Sequence, residues 1–88
     1  MNSFELIVST PNGTVYNEKV RSLSVRGSEG ELAVMAGHIP FVTSVKPCEC
    51  RIAVNDDTMK SGVIEGGILT VSREKVILLT GSFKWKDN

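Results

Sequence analysis

The sequence predicts an all-β domain, a sandwich or barrel of short strands. Apolar and β-branched residues recur in short runs, and turn residues separate those runs along the whole chain. No segment of ten or more residues carries a helical face with caps. The composition, 41% hydrophobic and 23% charged, suits a globule with one modest core, which leaves little room for a deep cleft and a lid.

Each element follows from its residues. Phe4 to Val8 reads as a strand, and Pro11-Asn12-Gly13 as the turn after it, with Pro fixing one backbone angle and Gly accepting a positive one. Thr14 to Tyr16 forms a short strand. Val20 to Val25 follows, with Val20, Leu23 and Val25 out of strict alternation, so a bulge or twist is expected there. Gly27 to Gly30 is a turn and Leu32 to Met35 is extended. Ala36 to Pro40 is a loop, because Pro40 biases Ile39 away from helix; Pro40 and Pro47 also restrict a helix over 38–47. Phe41 to Val45 and Arg51 to Val54 are strands, the latter closed by an Asn55-Asp56-Asp57 hairpin turn. Met59 to Glu65 leads into Gly66-Gly67, and Ile68–Val71 and Val76–Thr80 form a hairpin around Ser72 to Lys75. Residues 84–88 read as a polar tail, in which Trp85 either docks on the sheet or stays exposed at a contact. Residues 1–88 make one domain, with no internal repeat, low-complexity tract or linker.

Charge and motifs exclude several functions. Lys and Arg together number 10, as do Asp and Glu, so no basic field favours nucleic acid. Phe4, Tyr16, Phe41, Phe83 and Trp85 are too scattered to read as a stacking platform. The N-terminus lacks a basic region with an apolar signal core, and no apolar run approaches the roughly 20 residues of a membrane span. A cytoplasmic chain is expected, reaching a membrane only through a protein partner.

No catalytic or cofactor constellation is legible either. Cys48 and Cys50 share a strand face and read as buried or half-buried thiols rather than a redox or metal pair; with one distant His they make a poor zinc set. His38 is the one side chain titrating near neutrality, but nothing local holds a nucleophile against it, Ser28 and Ser44 included. It belongs to loop structure or to a partner contact. Glu29 and Glu31 flank Gly30 and could lie close together, yet no cleft to raise a carboxyl pKa is suggested. They read as solvated turn charges or as a partner contact. Gly27-Ser28-Glu29-Gly30 is not followed by Gly-Lys-Ser/Thr, and Gly66-Gly67 opens a strand rather than a helix, so neither is a phosphate loop. No cofactor is expected.

Val25-Arg26-Gly27-Ser28-Glu29-Gly30-Glu31-Leu32, Gly37-His38-Ile39-Pro40-Phe41, Val45-Lys46-Pro47, Gly66 to Val71 and Val76 to Thr80 occur in an order that is specific as a set. Over residues 3–82 the chain resembles the N-terminal β-sandwich domain of the epsilon subunit of F-type ATP synthase, called delta in mitochondria. The resemblance implies a flattened sandwich of about ten short strands. It implies a non-catalytic central-stalk subunit, part of the F1 sector at the cytoplasmic face of the bacterial membrane. Its expected partners are the gamma subunit along one side and the c-ring loops at the lower end. Ser28, Glu29, Gly30, Glu31 and His38 would face the c-ring, and Phe41, Val42 and Thr43 would lie near partners. Isolated, the domain is expected to be monomeric, because its interfaces serve different subunits.

The departures from the family pattern are local. Cys48, Ala33 and Ala36 stand where Gly, Gly and Pro are usual. Family members commonly continue into two helices that bind ATP in some bacteria and restrain hydrolysis. The sequence ends at Asn88 without that region, so neither property is expected of residues 1–88. The alternatives are an excised domain and a naturally short subunit, and the Phe83 to Asn88 tail, unlike the usual alanine- and glutamate-rich lead-in, favours the second. Outside the family, the alternatives are a stand-alone protein-binding sandwich and a small enzyme using His38 and a carboxylate.

Overall fold

Ten strands, among the described residues, account for the alternating apolar pattern: β1 (Phe4–Thr10), β2 (Gly13–Val20), β3 (Ser22–Gly27), β4 (Gly30–Met35), β5 (Phe41–Val45), β6 (Cys48–Ala53), β7 (Met59–Ile64), β8 (Gly67–Val71), β9 (Lys75–Thr80) and β10 (Phe83–Trp85). They come from a computed structural model that describes residues 3–37 and 39–86.

One hydrogen-bonded path runs β10-β7-β6-β3-β5-β8-β9-β1-β2, with β4 paired to β3 beside it. The path folds over between β3 and β5, where the pairing narrows to the single register position Gly27↔Val45. Its two ends, β2 and β10, meet again through Tyr16 and Trp85. The result is a flattened, nearly closed β-sandwich, of the all-β class that the residue pattern predicted and with the flattened form that the resemblance implied. Most neighbours are antiparallel, but β1 lies parallel to β9, with Leu6 opposite Val76 and Val8 opposite Leu78.

Period-two alternation puts one apolar set inside. Leu6 and Val8 of β1, Leu23 of β3, Ile52 of β6, Leu69 of β8 and Leu78 of β9 are fully buried in one continuous core. Cys50 lies in that core and Cys48 is half-buried on the same inward face of β6, as the spacing required. Burial is the first cause pushing the Cys50 thiol up from 9.0 to about 11.

Several boundaries differ from the sequence reading. Val20 closes β2 rather than opening β3, because the buried residues Val20 and Leu23 are three apart and cannot share one alternating strand. Between them Arg21 donates its N–H to the Ala53 carbonyl (2.7 Å), and its guanidinium meets Asp56 at 2.8 Å. The bulge expected there lies instead between β1 and β2, where the register passes from Val8↔Tyr16 to Ser9↔Thr14. Strand β2 extends to Val20 through polar Asn17, Glu18 and Lys19, since an edge strand can keep its far side in water. Strand β6 starts at Cys48 rather than Arg51, through pairing with β7.

Another difference is at the tail. Lys84 and Trp85 belong to β10, which pairs with β7 through Phe83↔Ile64 and Trp85↔Gly62. Gly62 makes the docking possible: a Cβ there would collide with the Phe83 ring, so the aromatic side chain occupies the space that any other residue would fill. The docked position for Trp85 is the one observed. Asp87 and Asn88 lie outside the described residues.

Candidate functional site: the β3–β4 hairpin and its neighbours

Gly27 pairs with Gly30, so β3 and β4 are joined by a two-residue loop, Ser28-Glu29. Gly30 takes a φ of +127°, which glycine tolerates and other residues rarely adopt. The loop therefore projects both residues outward in a defined register. Strand β5 runs close by, because Gly27 is also its pairing partner.

This arrangement brings two sets of predicted residues together. Ser28, Glu29, Gly30 and Glu31 share a shallow depression of about 370 Å³ with Phe41, Val42 and Thr43. His38, predicted for the same surface, lies outside the described residues. The depression is open and its carboxylates are solvated, so no enclosed reaction site forms around them. Among the described residues no group of three or more His, Cys, Asp and Glu side chains gathers as a metal set.

The two glutamates have different surroundings. Glu31 sits directly across the ladder from Arg26, with Oε2 3.6 Å from Nη2. Glu29 has no ion-pair partner among the described residues. Arg26 lies within the Val25–Leu32 sequence motif, where composition alone points to no role for it. A two-residue loop at Ser28-Glu29 would have placed it opposite Glu31, so the signal was present in the register.

A second feature adjoins the hairpin. Val42 is 65% exposed, and the neighbouring ladder carries Ile68 (44%) and Leu79 (50%) on the outward side of β8 and β9. Val42 pairs with Thr70 and Thr70 with Ile77, while Ile68 pairs with Leu79 in the adjacent row, so apolar side chains recur around Thr70 on the outer face of β5, β8 and β9. Individually exposed apolar residues are ordinary; a contiguous row on one sheet face is the kind of surface that a partner covers.

Comparison with known proteins agrees with this geometry. The family described as ATP synthase, Delta/Epsilon chain, beta-sandwich domain matches residues 3–86. An ATP synthase epsilon chain from Caldicellulosiruptor saccharolyticus is 36% identical over 87 residues, covering 99% of this chain and 63% of its own. The sodium ion specific epsilon chain of Acetobacterium woodii is 33% identical over 85 residues, covering 97% and 64%. The chain thus spans less than two thirds of the length of these relatives. A chain in the cryo-EM structure of the Euglena gracilis mitochondrial ATP synthase (OSCP/F1/c-ring) superposes with a TM-score of 0.88 at 24% identity, covering 94% of this chain and 53% of that one. One from the central stalk/c-ring structure of the Tetrahymena thermophila enzyme gives 0.77 at 13%, covering 91% and 64%. These two likenesses show the fold. With its sandwich matched almost from end to end, the chain belongs to the delta/epsilon β-sandwich family of ATP synthase.

Proposed function

We propose that this domain is the sandwich of a non-catalytic central-stalk subunit of an F-type ATP synthase. It binds the gamma subunit and contacts the c-ring, and so helps couple ion translocation to ATP synthesis or hydrolysis. The observation that carries the reading is the family match across residues 3–86. The surface supports it: a projecting polar hairpin suits the loops of a ring, and the apolar row beside it suits a larger, lasting contact.

Energetics divide those roles. Exposed ion pairs contribute roughly 0–1 kcal/mol each, so Glu29 and Glu31 set register rather than hold the subunit in place. Affinity has to come from an apolar contact, and stable interfaces bury about 1,200–2,000 Å². Gamma is assigned that contact, along a side that includes the Val42–Ile68–Leu79 row. The domain sits peripherally in the F1 sector, on the cytoplasmic side of a bacterial membrane.

Calorimetry with the cognate gamma subunit, with and without the c-ring, tests the reading. One-to-one binding is expected, strengthened by the ring. A folded domain that binds neither would reject it.

A further inference from the structure

Glu29 and Glu31 are two residues apart on one hairpin, yet among the described residues only Glu31 has an ion-pair partner. The cause begins in the backbone. The Arg26 N–H donates to the Cys48 Sγ at 3.4 Å, and the Arg26 carbonyl accepts the Lys46 N–H at 2.9 Å. Both groups are thus used on the side away from β4. Arg26 and Glu31 therefore face each other at a non-hydrogen-bonded ladder position, where antiparallel side chains lie closest. Their charged ends are 3.6 Å apart.

The surroundings reinforce this pairing. Arg26 and Glu31 border a depression of about 180 Å³ together with Arg51 and Glu49. Glu49 is already engaged, because Lys86 donates to it at 3.2 Å. Arg51, whose charge also acts on Glu49, lines the same depression. Glu29 borders the other depression, with Phe41, Val42 and Thr43, where Glu31 also reaches the edge.

We infer that Arg26 is a positioning and specificity-determining residue: it holds the Glu31 carboxylate and leaves Glu29 as the one unpaired carboxylate that the hairpin presents to a cationic partner group. The inference rests on the proposed function for the identity of that partner. A Lys or Arg approaching Glu31 also approaches Arg26 and is repelled by it. One approaching Glu29 meets no such cation on the loop. Because exposed pairs are weak, the expected preference is about two- to fivefold in affinity, fading as salt rises.

Glu29→Gln and Glu31→Gln, each made with Arg26, Arg26→Gln or Arg26→Lys, are titrated at low salt against purified gamma–c-ring complex. With Arg26 present, Glu29→Gln should weaken binding about two- to fivefold, and Glu31→Gln less than that. With Arg26→Gln the two costs should become equal, and Arg26→Lys should restore the ranking. Equal costs with Arg26 in place would overturn the inference. A second readout needs no partner: NMR three-bond couplings across the Glu31 Cα–Cβ bond in the free chain. One χ1 rotamer is expected, averaged in Arg26→Gln and retained in Arg26→Lys; averaging in the unaltered chain would overturn the inference. If the unaltered chain bound no gamma–c-ring complex, the proposed function would fail, while the rotamer measurement would still decide the role of Arg26.

Discussion

The ring of Trp85 meets that of Tyr16 edge to face, with centroids 5.6 Å apart and planes at 71°, and this contact brings together the two ends of the sheet path. Phe83 packs on the same indole at 4.7 Å, and the Lys60 ammonium lies 5.5 Å from the Tyr16 ring and 5.7 Å from the Trp85 ring. Such aromatic pairs contribute about 0.5–1.5 kcal/mol each beyond the area they bury. Trp85→Ala should therefore lower unfolding stability by about 1–3 kcal/mol in a urea titration. An unchanged midpoint would mean that the seam contributes nothing. Val63→Ala, on the exposed side of β7, is the control and should stay within about 1 kcal/mol of the parent.

Thr80 is a buried polar side chain, and its hydroxyl donates to the Gly66 carbonyl at 2.5 Å, with the Ser82 carbonyl at 3.1 Å. It clasps the turn before β8 to the segment after β9. Thr80→Val keeps the shape and removes the donor, leaving a carbonyl unsatisfied. A loss of about 1–3 kcal/mol is expected by chemical denaturation. Thr80→Ser should recover most of it.

Alkaline pH should weaken the fold through Cys50. Its thiol pKa is raised on folding, so the folded state holds its proton when the unfolded state has released it. The contribution is complete below about pH 9 and is lost as pH rises towards 11. Burial, and then the charge of Glu18, raise the Tyr16 hydroxyl too, which adds to the loss at higher pH. Between pH 7.5 and 10.5 the parent should lose about 2 kcal/mol more than Cys50→Ala. Parallel losses in the two chains would show that Cys50 is not the cause.

Reversing charge at Glu31 should separate folding from coupling. Glu31→Lys faces Arg26 with a like charge at an exposed ladder position, which should cost folding less than about 1 kcal/mol. In an assembled synthase the same change puts two cations beside the ring loops. Ion-coupled ATPase activity should fall while the isolated domain still melts cooperatively. Unchanged coupled activity would remove position 31 from the ring contact.

Much of the sandwich was legible because its inward residues alternate without interruption, as Phe4, Leu6 and Val8 do in β1 and Val76, Leu78 and Thr80 in β9. Strand β10 was not, since Lys84 and Lys86 give it a polar look. Its docking depends on the empty space above Gly62, a residue remote in sequence. Nor could local pattern join Ser28 to Glu31 with Phe41 to Thr43. Their meeting depends on the single β3–β5 pairing at Gly27, a tertiary fact. The Arg26–Glu31 pair lay between these cases: the turn implied it, once the loop was counted as two residues.

The parallel alignment of β1 with β9 sets the order in which this protein can be made. Every other pairing of β1 is with its neighbour β2, so the inner edge of β1 stays open until the Lys75–Thr80 segment arrives. Closing that loop spans about seventy residues of chain and carries the entropy cost of a distant contact. A ribosome-bound chain cannot complete its core while β9 is still in the exit tunnel. Assembly into any larger complex must therefore wait for release of nearly the whole domain, and until then Leu6 and Val8 are exposed to chaperones.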